Sequence, residues 1–310
     1  MSAWQNTPAG FLLYLRKDRC LLETVRERIV HLQRCRGISR RFIYRLLQQD
    51  PSLKEIYNYT PAEITRQFLL PHKNASLFYS DLHNLALRQR ILDDLKKFKI
   101  ITIVDESYSP VLNTIKDAPL VLYALGDTSL LSFSPALSVI GTRKPSPDAV
   151  QKMELIVKPL LKENCLIVSG MAKGIDSLAH KIALAEGGKT IAVLGSGFHH
   201  IYPKQNISLF HQIARKGLVL TEYPPDIPPV RYHFPERNRI ISGLSYGTLV
   251  IEATERSGTL ITVEQALDQG REVYAVPGSP AHPQTKGCHR MIQDGAKLVH
   301  EAADIKEDWQ

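Results

Sequence analysis

The chain has 310 residues, 44% of them apolar and 23% charged, with a formal net charge of +8. That length supports one sizeable core plus a smaller accessory unit, and the balance of apolar to charged residues excludes a disordered chain. No run of about eighteen apolar residues occurs and the N-terminus lacks the basic, apolar and small-residue succession of a signal peptide. Neither membrane insertion nor export is expected, and the expected location is cytoplasmic.

The four cysteines, Cys20, Cys35, Cys165 and Cys288, show neither CxxC spacing nor histidines at metal-ligand spacing, so no metal site and no disulfide framework are expected. The positive charge suits a polyanionic partner but does not choose between nucleic acid and an acidic surface.

Residues from about 10 to 95 read as helical. Apolar spacing recurs at Ile29, Val30 and Leu32 and again at Phe42, Ile43, Leu46 and Leu47, with Pro51, Pro61 and Pro71 as breaks. Residues 1–97 are therefore expected to form a small N-terminal helical domain, SAM/helix-hairpin-helix-like. From Arg16 to Lys54 there are eleven Lys or Arg against four Asp or Glu, which fits either a phosphate-facing surface or a solvated helical face. The turn at Arg36-Gly37 offers amides and cations to phosphates, or Gly37 is a plain helix C-cap.

Residues 100–104 and 119–126 read as short strands that extend a main sheet. From 137 onward apolar runs alternate with glycine turns and amphipathic helices, with strands expected at 137–140, 166–169, 190–194, 218–221, 248–251 and 273–276. Continuous apolar strands alternating with helices predict an α/β fold, an extended Rossmann-like, doubly wound, mostly parallel sheet over residues 98–310, with ligands at the strand carboxyl ends.

The informative motifs fall at those ends. The turn Gly141-Thr142-Arg143-Lys144 has a single glycine, so the GxGxxG dinucleotide fingerprint is absent; two cations at a tight turn suit an anion. In Ser169-Gly170-Met171-Ala172-Lys173-Gly174-Ile175-Asp176 the glycines let amides approach a phosphate at a helix N-terminus, with Ser169 and Lys173 adding a donor and a charge. It is not a Walker A loop, and it also fits a packing turn. His199 and His200 lack the spacing of a helical ligand pair and have no acidic third ligand. The segment Arg231-Tyr232-His233-Phe234-Pro235-Glu236-Arg237-Asn238-Arg239 interleaves cations with aromatics, which is what a single strand needs for phosphate neutralisation and base stacking. Arginines at a helix start oppose its dipole and call for a partner. Ser257-Gly258-Thr259 is a further anion cradle at a helix start.

Taken together, GTR at 141–143, SGMAKGID at 169–176 with Ala179-His180, GSGFHHIYPKQN at 195–206, FPERNRIISGLS at 234–245, EATERSGTLIT at 252–262 and AVPGSP at 275–280 resemble the DNA-processing protein A (DprA/Smf) family. The resemblance implies a single-stranded-DNA-binding protein that protects incoming strands in natural transformation, helps load the RecA recombinase, and is no enzyme: no catalytic residue, cofactor or metal is expected. The fold also resembles the wider group containing cytokinin-activating phosphoribohydrolases. Carried over by position, Arg143, Lys204, Arg231 and Arg237 line a basic groove, the 169–174 turn holds a phosphate, Phe234 stacks on a base and Asn238 positions the cluster. Two departures are Gly287-Cys288-His289, where the family usually has an asparagine, and an end soon after Asp304 that leaves no room for a C-terminal winged helix.

Two rival readings are a nucleotide phosphoribohydrolase and a nucleotide-sensing module. In the first, a PGGxGTxxE motif carries the glutamate; here that position is Thr262, and Glu264 lies on a different helical face. A homodimer formed through the Rossmann-like domain, around 260–276, is expected because two grooves on one body raise avidity for a long strand.

Overall fold

The computed structural model describes residues 22–309. Expectations for Cys20, for the cations before Leu22 and for the helical start near residue 10 fall outside them. The chain divides into two compact units at Lys97 and Phe98.

The first unit is built from α1 (Val25–Arg34), α2 (Arg40–Gln49), α3 (Pro61–Phe68), α4 (His72–Leu82) and α5 (Leu85–Lys97). Local chemistry sets their starts. Thr24 with Glu27 and Thr60 with Glu63 form reciprocal capping boxes, Ser39 caps α2, and Pro61 opens α3, where a missing N–H costs nothing. The apolar faces close on a core in which Phe42 meets Phe68 and Phe78 edge-on, with centroids 5.2 and 5.7 Å apart. Much of the arginine excess is spent inside this unit. Arg28 is buried and donates to the carbonyls of Ser52, Leu22 and Glu23; Arg34 pairs with Asp94 at 2.8 Å. Asp81 accepts the amide and the guanidinium of Arg36, so a carboxylate of the same unit already occupies this turn. Gly37 is not the C-cap of α1. That position is Cys35, and Gly37 lies two residues on with φ +82°, its Cα so close to the Asn74 carbonyl that a Cβ would collide with it.

The second unit carries a nine-stranded sheet: β1 (Lys99–Thr102), β2 (Val121–Gly126), β3 (Ala136–Ile140), β4 (Leu166–Ser169), β5 (Thr190–Leu194), β6 (Leu218–Thr221), β7 (Gly247–Val250), β8 (Glu272–Ala275) and β9 (Lys297–Leu298). Their order is β1-β2-β6-β5-β4-β3-β7-β8-β9. From β6 to β9 all neighbours are parallel, while β1 and β2 form an antiparallel extension at one edge. Strands β3 to β7 are buried along their whole length, as continuous apolar runs require when helices cover both faces. The remaining helices are α6 (Pro110–Asn113), α7 (Ala149–Lys162), α8 (Ile175–Ala185), α9 (Ile207–Lys216), α10 (His233–Gly243), α11 (Thr259–Asp268), α12 (Lys286–Gln293) and α13 (Ala303–Lys306). One apolar cluster joins Ile140, Val168, Val193, Leu220 and Val250 to Ile240 and Ile241 of α10, and another joins Leu137, Val139 and Ile167 to α7 and α8 on the opposite face.

The fold is thus α/β and doubly wound. The chain runs outward from β3 through β4, β5 and β6, then returns to β7 on the other side of β3. The carboxyl ends of β3 and β7 are the topological switch point, where the flanking loops part and leave a crevice.

Candidate nucleic-acid interface

A cleft of ≈ 540 Å³ opens at that switch point. It gathers Gly141 and Arg143 from the loop after β3, Arg231, Phe234, Arg237 and Asn238 from the start of α10, and Gly258 and Thr259 from the start of α11. A small depression of ≈ 30 Å³ shares Arg143, Phe234 and Arg237 with it and adds Gly170 and Lys173 of the 169–174 turn. Ten of the fifteen candidate residues therefore meet in one place, on four separate segments of chain.

The other five lie outside these linings. Ser169 is wholly buried and donates to the Val139 carbonyl at 2.6 Å, tying β4 to β3. Thr142 donates its amide to Glu252 O at 2.7 Å and accepts from the amide of Ile175 at 3.2 Å, so it knits three loops together. Gly174 has φ +78°, and a Cβ there would strike the backbone of Thr142 and Arg143. Lys204 is exposed. Arg239 is buried and grips the carboxylate of Glu222 with one nitrogen, at 2.8 and 2.6 Å.

The cations of the cleft are of two kinds. Arg143, Lys173 and Arg231 are exposed and keep their charge available to a ligand. Arg237 is only 4% exposed; its Nη1 donates to Gly170 O at 2.6 Å and to Val193 O. Burial lowers its pKa to about 10, against which neighbouring Asp176 raises it. Asp176, at the start of α8, is buried too; desolvation pushes its carboxyl above the usual range, partly offset by the positive charge of Arg237. Gly170 is glycine because its Cα lies against that guanidinium, which a Cβ would displace.

Phe234 is half-buried, its ring edge packed on Gly195. The helix start that presents it is anchored from below. His233 sits with Nδ1 3.2 Å from Gly195 O, Tyr223 stacks on its ring at 3.8 Å, and the Tyr223 hydroxyl donates to Glu236 at 2.9 Å. The loop bearing Arg143 is held by Glu252, a fully buried carboxylate that accepts from the amide and hydroxyl of Ser146 and from Lys152 Nζ at 2.7 Å. Asn206 steadies the 169–174 turn, donating to Met171 O at 2.9 Å. Asp176 and Tyr202 line the cleft and Glu252 and Asn206 brace its loops, and the sequence motifs contain all four without singling them out.

Thr262 lines the cleft and is nearly buried, whereas Glu264 is exposed and outside the lining. Asp176 is the single carboxylate among the residues described as lining the cleft. His289 is outside it, with Nε2 3.0 Å from Gly278 O. Cys35, Cys165 and Cys288 are free and buried, and burial raises the thiols of Cys165 and Cys288 to about 12. Among the described residues His300, Glu301 and Asp304 have donor atoms close to one another. They lie at the surface, where Asp304 already accepts the amides of His300 and Glu301.

The family model of DNA recombination-mediator protein A matches residues 99–310, the whole sheet-bearing unit. The chain belongs to that family. It is 45% identical over 217 residues to DNA processing protein DprA of Streptococcus pneumoniae, covering 70% of this chain and 76% of the relative. It is 44% identical over 208 residues to the DprA of Bacillus subtilis, covering 67% and 70%. The crystal structure of the pneumococcal protein superposes with TM-score 0.82 at 37% identity, over 93% of this chain and 99% of the other. A structure of DNA processing protein A from Helicobacter pylori, described as giving insight into that protein's single-stranded DNA binding mode, matches with TM-score 0.62 at 28% identity, over 69% of this chain and 98% of the other. Among the described residues no helix is long and apolar enough to cross a membrane.

Proposed function

We propose that the cleft binds single-stranded DNA and that the chain acts as a non-catalytic recombination mediator, protecting incoming strands and helping to load RecA. The observation that carries this reading is the placement of exposed Arg143, Lys173 and Arg231 around a partly exposed Phe234, at a switch-point cleft open to the surface. Cations beside a ring bind a backbone and a base together, and the ring tolerates any base because each has a π face. Arg143 and Arg231 contact phosphates, and a phosphate sits over the 169–174 turn beside Lys173. Arg237 keeps that turn in shape from beneath, and Asn238 orders the start of α10. Gly258 and Thr259 offer amides on the opposite wall, and Lys204 extends the positive field past the rim. The Helicobacter relative, whose structure is described in terms of single-stranded DNA, supports the same ligand here.

Against a phosphoribohydrolase stands Thr262, which faces the cleft where that chemistry needs a glutamate. Two assays test the reading. Chromatography of nucleoside monophosphates incubated with the protein is expected to show no released base. RecA strand exchange on strands pre-coated with single-strand-binding protein is expected to accelerate when the protein is added. Multiple turnovers in the first, or no change in the second, refutes the mediator role.

A further inference from the structure

The binding reading gives one aromatic, Phe234, the task of stacking on a base. A second ring stands beside it. Tyr202 lines both the large cleft and the small depression, as do Arg143 and Phe234. Its ring centroid is 5.5 Å from that of Phe234, and the two planes are inclined by 53°. Tyr202 is 47% exposed. Pro203 beside it is buried, Asn206 four residues on is bound to the 169–174 turn, and on the other side the His200 carbonyl accepts from Ser196 Oγ at 2.7 Å. The ring is therefore held at the junction of the two concavities by fixed neighbours on both sides, and what it leaves uncovered faces the space a strand would fill.

The inclination decides how the two rings share a ligand. Parallel faces could clamp one base between them. Faces at 53° cannot both lie flat on the same base, because stacking requires near-parallel planes. Two rings so inclined would serve two separate bases.

We propose that Tyr202 is a second base-stacking platform, so that the site reads two successive nucleotides of a single strand and holds their bases unstacked from one another, with Arg143 at the phosphate between them. This rests on the single-strand reading above. It adds a residue, a minimal ligand of two nucleotides and a kink in the bound strand. A stacking platform contributes roughly 1–3 kcal/mol per base on replacement by alanine, which corresponds to a loss of affinity of about 5- to 150-fold.

The test uses the full chain with oligonucleotides carrying two adjacent 2-aminopurines, whose exciton-coupled circular dichroism reports whether neighbouring bases remain stacked. On binding wild-type protein the coupled signal collapses. Tyr202→Ala lowers affinity by about 5- to 150-fold, leaves the salt dependence unchanged because no phosphate contact is lost, and preserves the coupled signal in the bound strand. Tyr202→Phe behaves as wild type, which separates the ring from the hydroxyl. Thermal unfolding of both variants controls for folding, and Tyr202→Phe keeps the packing if alanine does not. A wild-type protein that binds and collapses the signal, with Tyr202→Ala doing the same at equal affinity, overturns the second platform while leaving the strand-binding reading intact. A wild-type protein that binds no oligonucleotide overturns that reading itself.

Discussion

At the scale of single residues, the arginines of the cleft divide into those that can meet a ligand and those that hold the site together, and the division is measurable. Each phosphate neutralised on a single strand contributes about −0.7 to the slope of log affinity against log salt. Arg143→Gln is therefore expected to weaken binding and to make that slope shallower by about 0.7, since this side chain is exposed at the rim. Arg237→Gln is expected to weaken binding at unchanged slope and to lower the melting temperature. It strips two buried carbonyls of their donor and leaves Asp176 without its neighbouring charge, the kind of loss that costs roughly 3–5 kcal/mol. A slope altered by Arg237→Gln in a thermally intact protein contradicts this assignment. By resemblance Arg237 reads as a groove-lining cation like Arg143 and Arg231, whereas its burial gives it a supporting place beneath the 169–174 turn. Gly170→Ala gives the same phenotype from the other side, because its Cβ displaces the guanidinium; wild-type binding and stability in that variant would show that the guanidinium can move aside at no cost.

At the scale of elements, the strands are the part of the molecule the sequence announces most clearly. Buried parallel strands must be continuous apolar runs, and 166–169, 190–194 and 218–221 are such runs, each followed by a glycine or a charged residue, so their carboxyl ends fall where the pattern puts them. Around β7 and β8 the pattern runs one residue late, because Gly247 and exposed Glu272 pair in the ladder without being apolar. The two-residue β9 leaves no local trace, and although 100–104 and 119–126 read as strands, their antiparallel pairing at the sheet edge depends on long-range contacts. The same limit applies to α10. Arg231, Arg237 and Arg239 look alike along the chain, and only the packing of the helix reveals that the first is exposed while the other two end on backbone carbonyls or Glu222. Glu252 is another long-range device, joining the end of β7 to the loop after β3. Glu252→Ala leaves Lys152 and Ser146 without their acceptor, and is expected to cost roughly 3–5 kcal/mol and to weaken strand binding by freeing the loop of Arg143. Denaturant unfolding that shows less than about 1 kcal/mol of loss would mean the network is replaceable. His180 of α8 supplies a pH test. It is fully buried, its Nδ1 2.7 Å from Thr190 Oγ1, and desolvation pulls its pKa down to about 3. The folded protein keeps it neutral while the unfolded chain takes up a proton below about pH 6.5. Stability is therefore full above that pH and falls by about 1.4 kcal/mol per pH unit on the way down toward the folded value. His180→Asn is expected to remove that slope contribution, and urea melts between pH 6.5 and 4.5 that run parallel for both proteins would exclude it.

At the scale of the whole molecule, a doubly wound sheet places one crevice at one end of the strands, and this chain lines it with cations, two aromatic rings and helix starts. One such site covers few nucleotides, so a protein that must act on long strands gains from pairing two sites on one body. A homodimer through the sheet-bearing unit is the expected assembly. Light scattering that shows a monomer at tens of micromolar, with and without a long oligonucleotide, would remove it. The central claim is the ligand, and equilibrium titration of end-labelled oligonucleotides of graded length across a salt series tests it most directly. The account predicts affinity that rises with length, favours single strands over blunt duplex and falls linearly with log salt, at about −0.7 per phosphate neutralised. Equal affinity for blunt duplex, or binding indifferent to salt, would contradict it.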